Sequence, residues 1–109
     1  MITIGIVVFI IAVSFFILTR DKPLVSEELA KCIGDNSLLY VQKGCIHCET
    51  QKKLFGDSYQ FLNVVDCFYE NDVCTDENIR ATPTWVITSS GSHVEGIQSI
   101  DKLKSLTGC

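Results

Sequence analysis

The first part of the chain differs from the rest because its residues are apolar almost without interruption. The stretch from Ile2 to Leu18 carries no charged residue, and only one threonine, one glycine and one serine interrupt it. As a helix it would be about 25 Å long at roughly 1.5 Å per residue, close to the thickness of the hydrocarbon core of a bilayer. The pattern predicts an N-terminal transmembrane helix, an anchor that occupies residues 1–19.

Two other interpretations of this stretch fit the sequence less well. A cleaved signal peptide would need a basic start and a small-residue cleavage site, and the sequence offers neither. A helix buried in a core would be apolar on every face, and the short remainder of the chain could hardly cover it. An uncleaved anchor is therefore the favoured interpretation.

Residues 20–34 are the first in which polar and apolar positions mix. They predict a tether followed by a short helix, with Ser26 as the N-cap and Gly34 as a left-handed stop. We expect the globular domain to begin after this helix and to occupy residues 35–109.

The first half of this domain predicts a strand, a tight turn and a helix. Residues 37–42 have the composition of a buried strand, and Lys43 and Gly44 follow as a turn. Residues 46–55 have apolar positions at helical spacing, and Gly56 ends the segment.

The second half predicts a strand, a helix, a hairpin and a last helix. Residues 60–66 have the pattern of an apolar strand, and residues 75–80 that of a short helix capped by Thr75 or Asp76. Two β-rich runs then meet at a Ser-Ser-Gly-Ser turn, where Gly91 is available for a positive φ. The final segment has helical spacing and a glycine stop.

The order of these elements limits how the strands can pair. The first two strands are separated by a helix and can pair in parallel through a right-handed crossover, whereas the hairpin strands must be antiparallel. The prediction is an α/β domain with one mixed four-stranded sheet flanked by helices.

The number of cysteines and the net charge limit the cellular compartment in which the protein can act and the classes of partner that it can bind. Six cysteines in so small a chain are typical of an oxidising compartment. Arg20 and Lys22 follow the apolar stretch, and the positive-inside rule alone would place the domain in the cytoplasm. Two charges are a small bias, and the cysteine count argues against it. We therefore expect a single-pass membrane protein with an extracytoplasmic domain. The net charge of −4 argues against nucleic acid as a partner.

The candidate chemistry lies in Cys45 and Cys48, a CxxC pair where the predicted helix begins. Cys45 falls at the helix N-terminus, where unpaired N–H groups and the helix dipole stabilise an anion, whereas Cys48 lies one turn further in. A lowered pKa would make Cys45 the attacking thiolate, and Cys48 would resolve the mixed disulfide. A protonated His47 between them would make the disulfide a stronger oxidant.

Other uses of the pair are weaker. A static staple between Cys45 and Cys48 would close a very short loop and stabilise the fold little. A zinc site could include Cys67 and Cys74, but their C-x6-C spacing differs from the usual C-x2–4-C. Haem attachment fails because Glu49 stands where C-x-x-C-H requires histidine. We expect neither a metal nor another cofactor.

Several motifs together resemble the thioredoxin superfamily over about residues 35–109. They are "YVQKGCIHCETQKKLFG" at residues 40–56 and "IRATPTWVI" at residues 79–87, followed by the glycine-containing hairpin. With "VDC…VC" and a terminal Leu-Thr-Gly-Cys, the chain is most similar to the thioredoxin-like domains associated with vitamin K epoxide reductase homologues. The resemblance implies a thioredoxin-like fold and a membrane-tethered oxidant. It would pass a disulfide to thiol-containing protein substrates and be recharged by a quinone-linked membrane enzyme.

The resemblance also assigns a role to Thr82 and Pro83. In the superfamily this proline follows a cis peptide bond and faces the CxxC, and the residue before it offers a backbone edge on which a substrate peptide can pair. The alternative is a purely structural role, in which Pro83 is the first residue of an edge strand.

The sequence departs from thioredoxins in two places. Gly44 stands where thioredoxins usually carry tryptophan, and the strand at residues 37–42 lacks the buried carboxylate that helps to deprotonate the second cysteine. An oxidant depends less on that proton acceptor than a fast reductase does. Together with His47, these absences favour oxidation of substrates.

The other cysteines are assigned by spacing and by the resemblance. We expect a structural disulfide between Cys67 and Cys74, with a second redox pair as the alternative. Cys32 and Cys109 would close a loop of nearly 80 residues, worth about 4 kcal/mol on the chain-entropy estimate. Six cysteines permit fifteen connectivities, so this assignment is an inference and not a deduction.

Two conspicuous side chains are left out of the site. Trp85 is expected to pack in the core, and His93 to be a solvated residue of the hairpin.

The alternative to an enzyme is a zinc-bound or disulfide-stapled interaction module, displayed on the membrane without turnover.

Overall fold

The computed structural model describes residues 2–18 and 25–109. Helix α1 covers Ile2–Leu18, so the predicted helix is present, whereas its transmembrane placement stays a prediction. Within the described residues, no helix combines the length and the apolar character that crossing a membrane requires. Most of the predicted tether, including Arg20 and Lys22, lies outside the described residues.

The domain that follows alternates helices and strands in nearly the predicted order. Its elements are α2 (Glu27–Asn36), β1 (Ser37–Val41), α3 (Ile46–Phe55), a 3₁₀ helix (Gly56–Phe61), β2 (Val64–Asp66), α4 (Asn71–Asp76), β3 (Thr84–Ile87), β4 (Ser92–Glu95) and α5 (Ile100–Thr107). The predicted N-cap of α2 is confirmed, because Ser26 Oγ accepts a hydrogen bond from the Leu29 N–H. Gly108 adopts the left-handed conformation that ends α5.

The four strands form one mixed sheet in the order β2-β1-β3-β4. Strand β1 pairs in parallel with β2, with Leu39 opposite Val64, and antiparallel with β3, with Leu39 opposite Trp85. Strands β3 and β4 form the antiparallel hairpin, and Gly91 in its turn has φ +70°. The predicted α/β class, a thioredoxin-like mixed four-stranded sheet with flanking helices, is confirmed.

The sheet separates two groups of buried side chains, because alternate residues of a strand point to opposite faces. Leu39 and Trp85 belong to the larger group, which also includes residues of α2, α3 and α5. Tyr40 and Val86 belong to the smaller group on the other face, together with Cys67 and Cys74. The large core therefore supports α3, the helix that begins at the cysteine pair.

The prediction for the first helix of the domain is wrong at its C-terminal end. Gly34 is not a stop but a buried residue within α2, which continues to Asn36. A Cβ added at Gly34 would lie 2.5 Å from Phe61 O, so glycine is needed here for close packing. Ala30 and Ile33 are fully buried in the larger core group, so α2 packs against the same core as α3 and α5.

Two other element boundaries differ from the prediction. The strand expected over residues 60–66 is shorter, because Gly56–Phe61 forms a 3₁₀ helix and only Val64–Asp66 pairs in the sheet. The helix expected over residues 75–80 lies earlier, at Asn71–Asp76. Thr75 does not cap it, because its hydroxyl donates to the carbonyl of Asn71 four residues before.

Candidate active site

The cysteine pair lies where β1 passes through a tight turn into α3. Gly44 has φ +87°, a conformation that a residue with a side chain rarely adopts, and the Cys45 N–H donates to the Gln42 carbonyl at 3.0 Å. The turn therefore places Cys45 at the N-cap of α3.

Cys45 and Cys48 form a disulfide with their Cα atoms 5.2 Å apart. Cys45 Sγ accepts a hydrogen bond from the Cys48 N–H at 3.1 Å. This N–H belongs to the first turn of α3, where backbone N–H groups have no partner within the helix. Cys48 is only 6% exposed, whereas Cys45 is half-buried. The two sulfurs therefore occupy unequal environments, and Cys45 is the one that a partner can reach.

Thr82, in the loop just before β3, lies against the Cys45 sulfur. Its carbonyl oxygen is 3.5 Å from Cys45 Sγ, and its hydroxyl donates to the same sulfur at 3.5 Å. The Thr82–Pro83 peptide bond is cis, and Pro83 is buried. The structure thus brings together Cys45, Cys48, Thr82 and Pro83, four residues of the predicted site.

His47 is exposed in the first turn of α3, between the two cysteines in sequence. A positive charge on this side chain would lie close to the helix N-terminus and would stabilise a thiolate at Cys45. Its influence on the cysteine pair stays a prediction.

Gln51 holds α3 in place, and the sequence analysis assigned it no role. It is completely buried, and its Oε1 accepts hydrogen bonds from Trp85 Nε1 at 3.1 Å and from the Gln98 N–H at 2.7 Å. Its Nε2 donates to the Gln98 carbonyl at 3.0 Å. A polar residue on the apolar face of α3, one turn after Cys48, was the sequence signal for this role.

Asp66 supports the turn before the cysteine pair and was also missed. Its Oδ1 accepts hydrogen bonds from the Lys43 N–H at 3.2 Å and from the Phe68 N–H at 2.9 Å. One carboxylate therefore fixes both the turn that leads to Cys45 and the segment that follows β2. An acidic residue at the end of an apolar strand was the available signal.

A cavity of about 260 Å³ borders the buried cysteine. Cys48, Glu49, Tyr59 and Asp66 are among its lining residues. Burial raises the pKa of Tyr59, and the negative charges of Glu49 and Asp66 raise it further. Strand β1 lacks a carboxylate, as the sequence shows, but Glu49 of α3 and Asp66 of β2 line the same cavity as Cys48.

The remaining four cysteines form the two expected disulfides. Cys67–Cys74 joins the end of β2 to α4 with a Cα separation of 5.7 Å, and Cys32–Cys109 joins α2 to the C-terminus with a Cα separation of 6.0 Å. Cys67 and Cys74 are 8% and 4% exposed. In the described part of the chain, no three or more His, Cys, Asp or Glu residues are grouped as a metal site would need.

The two side chains left out of the site lie where the sequence predicts. Trp85 is fully buried and stacks at a tilt on Phe55, with ring centroids 5.9 Å apart. His93 is exposed on β4.

A thioredoxin-like fold with a CxxC disulfide where a helix begins suggests thiol–disulfide exchange. No protein-family model matches the chain. Among solved structures, the chain is similar to the oxidised thioredoxin from Plasmodium falciparum, determined in solution. The two share 20% sequence identity with a TM-score of 0.49, and the match covers 78% of this chain and 91% of that chain. The fold assignment rests on the strand order and on the position of Cys45 at the start of α3.

Proposed function

We propose that the protein is a membrane-attached thiol–disulfide oxidoreductase that passes the Cys45–Cys48 disulfide to extracytoplasmic proteins. The observation that carries the proposal is the difference between the two sulfurs. Cys45 is half-buried, and its Sγ accepts the Cys48 N–H at 3.1 Å and lies 3.5 Å from the carbonyl and hydroxyl oxygens of Thr82, whereas Cys48 is buried. A disulfide with one accessible sulfur has a defined point of attack.

Oxidation of a substrate proceeds by two thiolate attacks. The first substrate thiolate attacks Cys45 Sγ, the Cys45–Cys48 bond breaks, and Cys48 leaves with the electron pair and takes up a proton. The second substrate thiolate attacks the substrate sulfur of the mixed disulfide, and Cys45 leaves as a thiolate that is later protonated. Two electrons and two protons pass from the substrate dithiol to the cysteine pair.

The environment of Cys45 favours transfer in this direction. The Cys48 N–H and the start of α3 stabilise negative charge on Cys45, and stabilising the reduced form makes the disulfide a stronger oxidant. A positive charge on the exposed His47 side chain would act in the same sense. We expect a reduction potential higher than the roughly −270 mV of thioredoxin, and a lower value would assign the protein as a reductant instead.

Attachment to the membrane through residues 2–18 and reoxidation by a membrane enzyme complete the proposal. Helix α1 is uncharged, and the larger apolar side chains described along it are 41–83% exposed. The six cysteines support an extracytoplasmic location. The motif similarity to domains associated with vitamin K epoxide reductase homologues supports a quinone-linked oxidase of that kind, which takes up the two electrons and restores the disulfide.

The direct test is to trap the mixed disulfide. In Cys48→Ser the resolving thiol is absent, so Cys45 should hold partner proteins in long-lived adducts that a reductant releases. The matched control is Cys45→Ser, which retains Cys48 in its buried position and should trap nothing. Equal trapping by both variants would contradict the proposed roles of the two cysteines.

A second measurement separates this enzyme from a static or zinc-bound interaction module. The oxidised protein is titrated with dithiothreitol, alkylated and analysed by peptide mass, and the metal content is determined in parallel. We expect Cys45 and Cys48 to be alkylated well before the other four cysteines, without stoichiometric zinc. Simultaneous opening of all three disulfides, or one bound zinc per chain, would support the module.

A further inference from the structure

A cavity of about 250 Å³, here called the loop cavity, is lined in part by residues 79–82 of the loop before β3. Thr82 lines this cavity, and the same residue places its carbonyl oxygen and its hydroxyl 3.5 Å from Cys45 Sγ. A single residue therefore connects the cavity with the sulfur that a substrate attacks. A substrate chain bonded to Cys45 would bring a side chain close to its own reacting cysteine to the loop cavity.

The charge in the lining of the loop cavity is positive. Among the described residues that line it, Arg80 alone carries a charged side chain, and no carboxylate is present. The other polar side chains of the lining are those of Gln42, Asn71, Thr75 and Thr82. Each of these amides and hydroxyls can donate a hydrogen bond. The cavity therefore offers one cation and several neutral donors to a ligand.

The backbone of the loop adds further donors. Residues 80–82 line the loop cavity, and none of their N–H groups donates to a backbone carbonyl within residues 25–109. A backbone N–H without a partner in the protein bonds to solvent or to a ligand. A group that carries negative charge and accepts several hydrogen bonds fits such a lining best. Among unmodified protein side chains at neutral pH, that group is a carboxylate.

Arg80 can bind a second carboxylate besides the one it already contacts. Its Nη2 lies 3.2 Å from Glu95 Oε1, and the two side chains are 83% and 43% exposed. An ion pair this exposed contributes little to stability, so it can rearrange at low cost. A guanidinium has several N–H donors, and Glu95 contacts only one of its nitrogens. Glu95 therefore competes for Arg80 without blocking it.

Other carboxylates of this region do not line the loop cavity. Asp72, Asp76 and Glu77 lie in α4 or directly after it, and they are exposed to solvent. Together with the net charge of −4, they oppose the approach of an acidic segment from a distance. Salt weakens such long-range effects more than it weakens a hydrogen-bonded contact with Arg80. Selection by the cavity therefore acts at contact, on a chain already aligned with Cys45.

We propose that the loop cavity is a substrate subsite that selects aspartate or glutamate next to the reacting cysteine of the substrate. The inference rests on the proposed function, whose substrate class it narrows. The substrate carboxylate accepts hydrogen bonds from Arg80 and from the loop backbone, while Thr82 lies beside the Cys45 sulfur. The carboxylate takes no part in the two thiolate attacks; it holds the substrate chain so that its sulfur lies near Cys45.

The test compares two dithiol peptides that differ only at the residues on either side of each cysteine, glutamate in one peptide and glutamine in the other. Glutamine has nearly the same shape without the charge. Each rate of oxidation by the full chain is divided by the rate of the same peptide with an uncharged small disulfide, which removes differences in thiol reactivity. At about 0.15 M ionic strength we expect the normalised rate of the glutamate peptide to be about threefold higher, roughly the contribution of one exposed ion pair.

Two variants of the exposed ion pair should shift this ratio in opposite directions. Arg80→Gln should bring the ratio to about one, whereas Glu95→Gln should raise it about twofold, because the competing carboxylate is removed. The matched controls are Lys31→Gln and Glu27→Gln, which remove the partners of an exposed ion pair on α2. They change the net charge by the same amounts and should leave the ratio unchanged.

Three results would overturn the inference. The first is equal normalised rates for the two peptides with the unmodified chain, and the second is an unchanged ratio in Arg80→Gln. The third is the same loss in Arg80→Gln and Lys31→Gln, because it would assign the preference to net charge. If the protein oxidises neither peptide nor dithiothreitol, it is the proposed function that fails.

Discussion

Replacement of Gln51 by leucine tests whether one buried amide holds the site together. The change keeps side-chain size and helix propensity close to those of glutamine, but it removes three hydrogen bonds, to Trp85 Nε1, the Gln98 N–H and the Gln98 carbonyl. The indole N–H of Trp85 then has no partner in a fully buried position. A buried group left without its partner costs about 1–3 kcal/mol, and the more accessible Gln98 groups add less, so we expect a loss of about 2–5 kcal/mol in unfolding free energy.

Urea denaturation monitored by fluorescence measures this loss directly, because Trp85 is the single tryptophan of the chain. The emission of the folded variant should also change, since the indole N–H loses its acceptor. The matched control is Gln60→Leu, at an exposed position where the amide bonds only to the nearby Asp57 carbonyl, and it should cost less than about 0.5 kcal/mol. A loss below about 1 kcal/mol in the Gln51 variant would refute the reasoning, because the three bonds would then contribute little net free energy.

Three further changes test other parts of the domain. Cys32→Ser with Cys109→Ser opens a loop with a sequence separation of 77 and should lower the unfolding free energy by about 4.5 kcal/mol in denaturant titrations. Gly34→Ala brings a methyl group within 2.5 Å of Phe61 O and should cost about 1–3 kcal/mol, measured in the same way. The pKa of Tyr40 is raised in the folded state, so the contribution of this group to stability is complete below pH 10 and is lost as the pH rises further. Tyr40→Phe should therefore flatten the decline in unfolding free energy above pH 10.

Each of these expectations has a result that contradicts it. The double cysteine variant should lose more stability than removal of Cys67–Cys74, which closes a much shorter loop, and the reverse order would exclude the loop-entropy explanation. Unchanged stability in Gly34→Ala would mean that α2 and the 3₁₀ helix separate easily. An unaltered alkaline transition in Tyr40→Phe would assign that transition to other groups.

Sequence reasoning located the cysteine pair well because the signals there are local. A strand, a glycine turn and an amphipathic helix follow one another within residues 37–56, and each depends on its own neighbours. The position of Cys45 as an N-cap follows from the same pattern. The contact between Cys45 and Thr82 is different, since it requires β1 and β3 to be adjacent, and only the resemblance to a family supplied it.

The errors arose where tertiary contacts overrule local signals. Gly34 has the residue type of a helix stop, but the close approach of Phe61 makes glycine necessary inside α2. The hydroxyl of Thr75 has the chemistry of a cap, but it bonds back into a helix that starts earlier and contains Cys74. Gln51 was missed because its three bonds reach residues distant in sequence.

The link between Cys32 and Cys109 makes almost the whole domain a covalent ring. The Cα atoms of its two ends lie 6.0 Å apart, although 77 positions separate them in sequence. A single proteolytic cut within the ring therefore releases no fragment: the nicked molecule migrates as one species until a reductant is added.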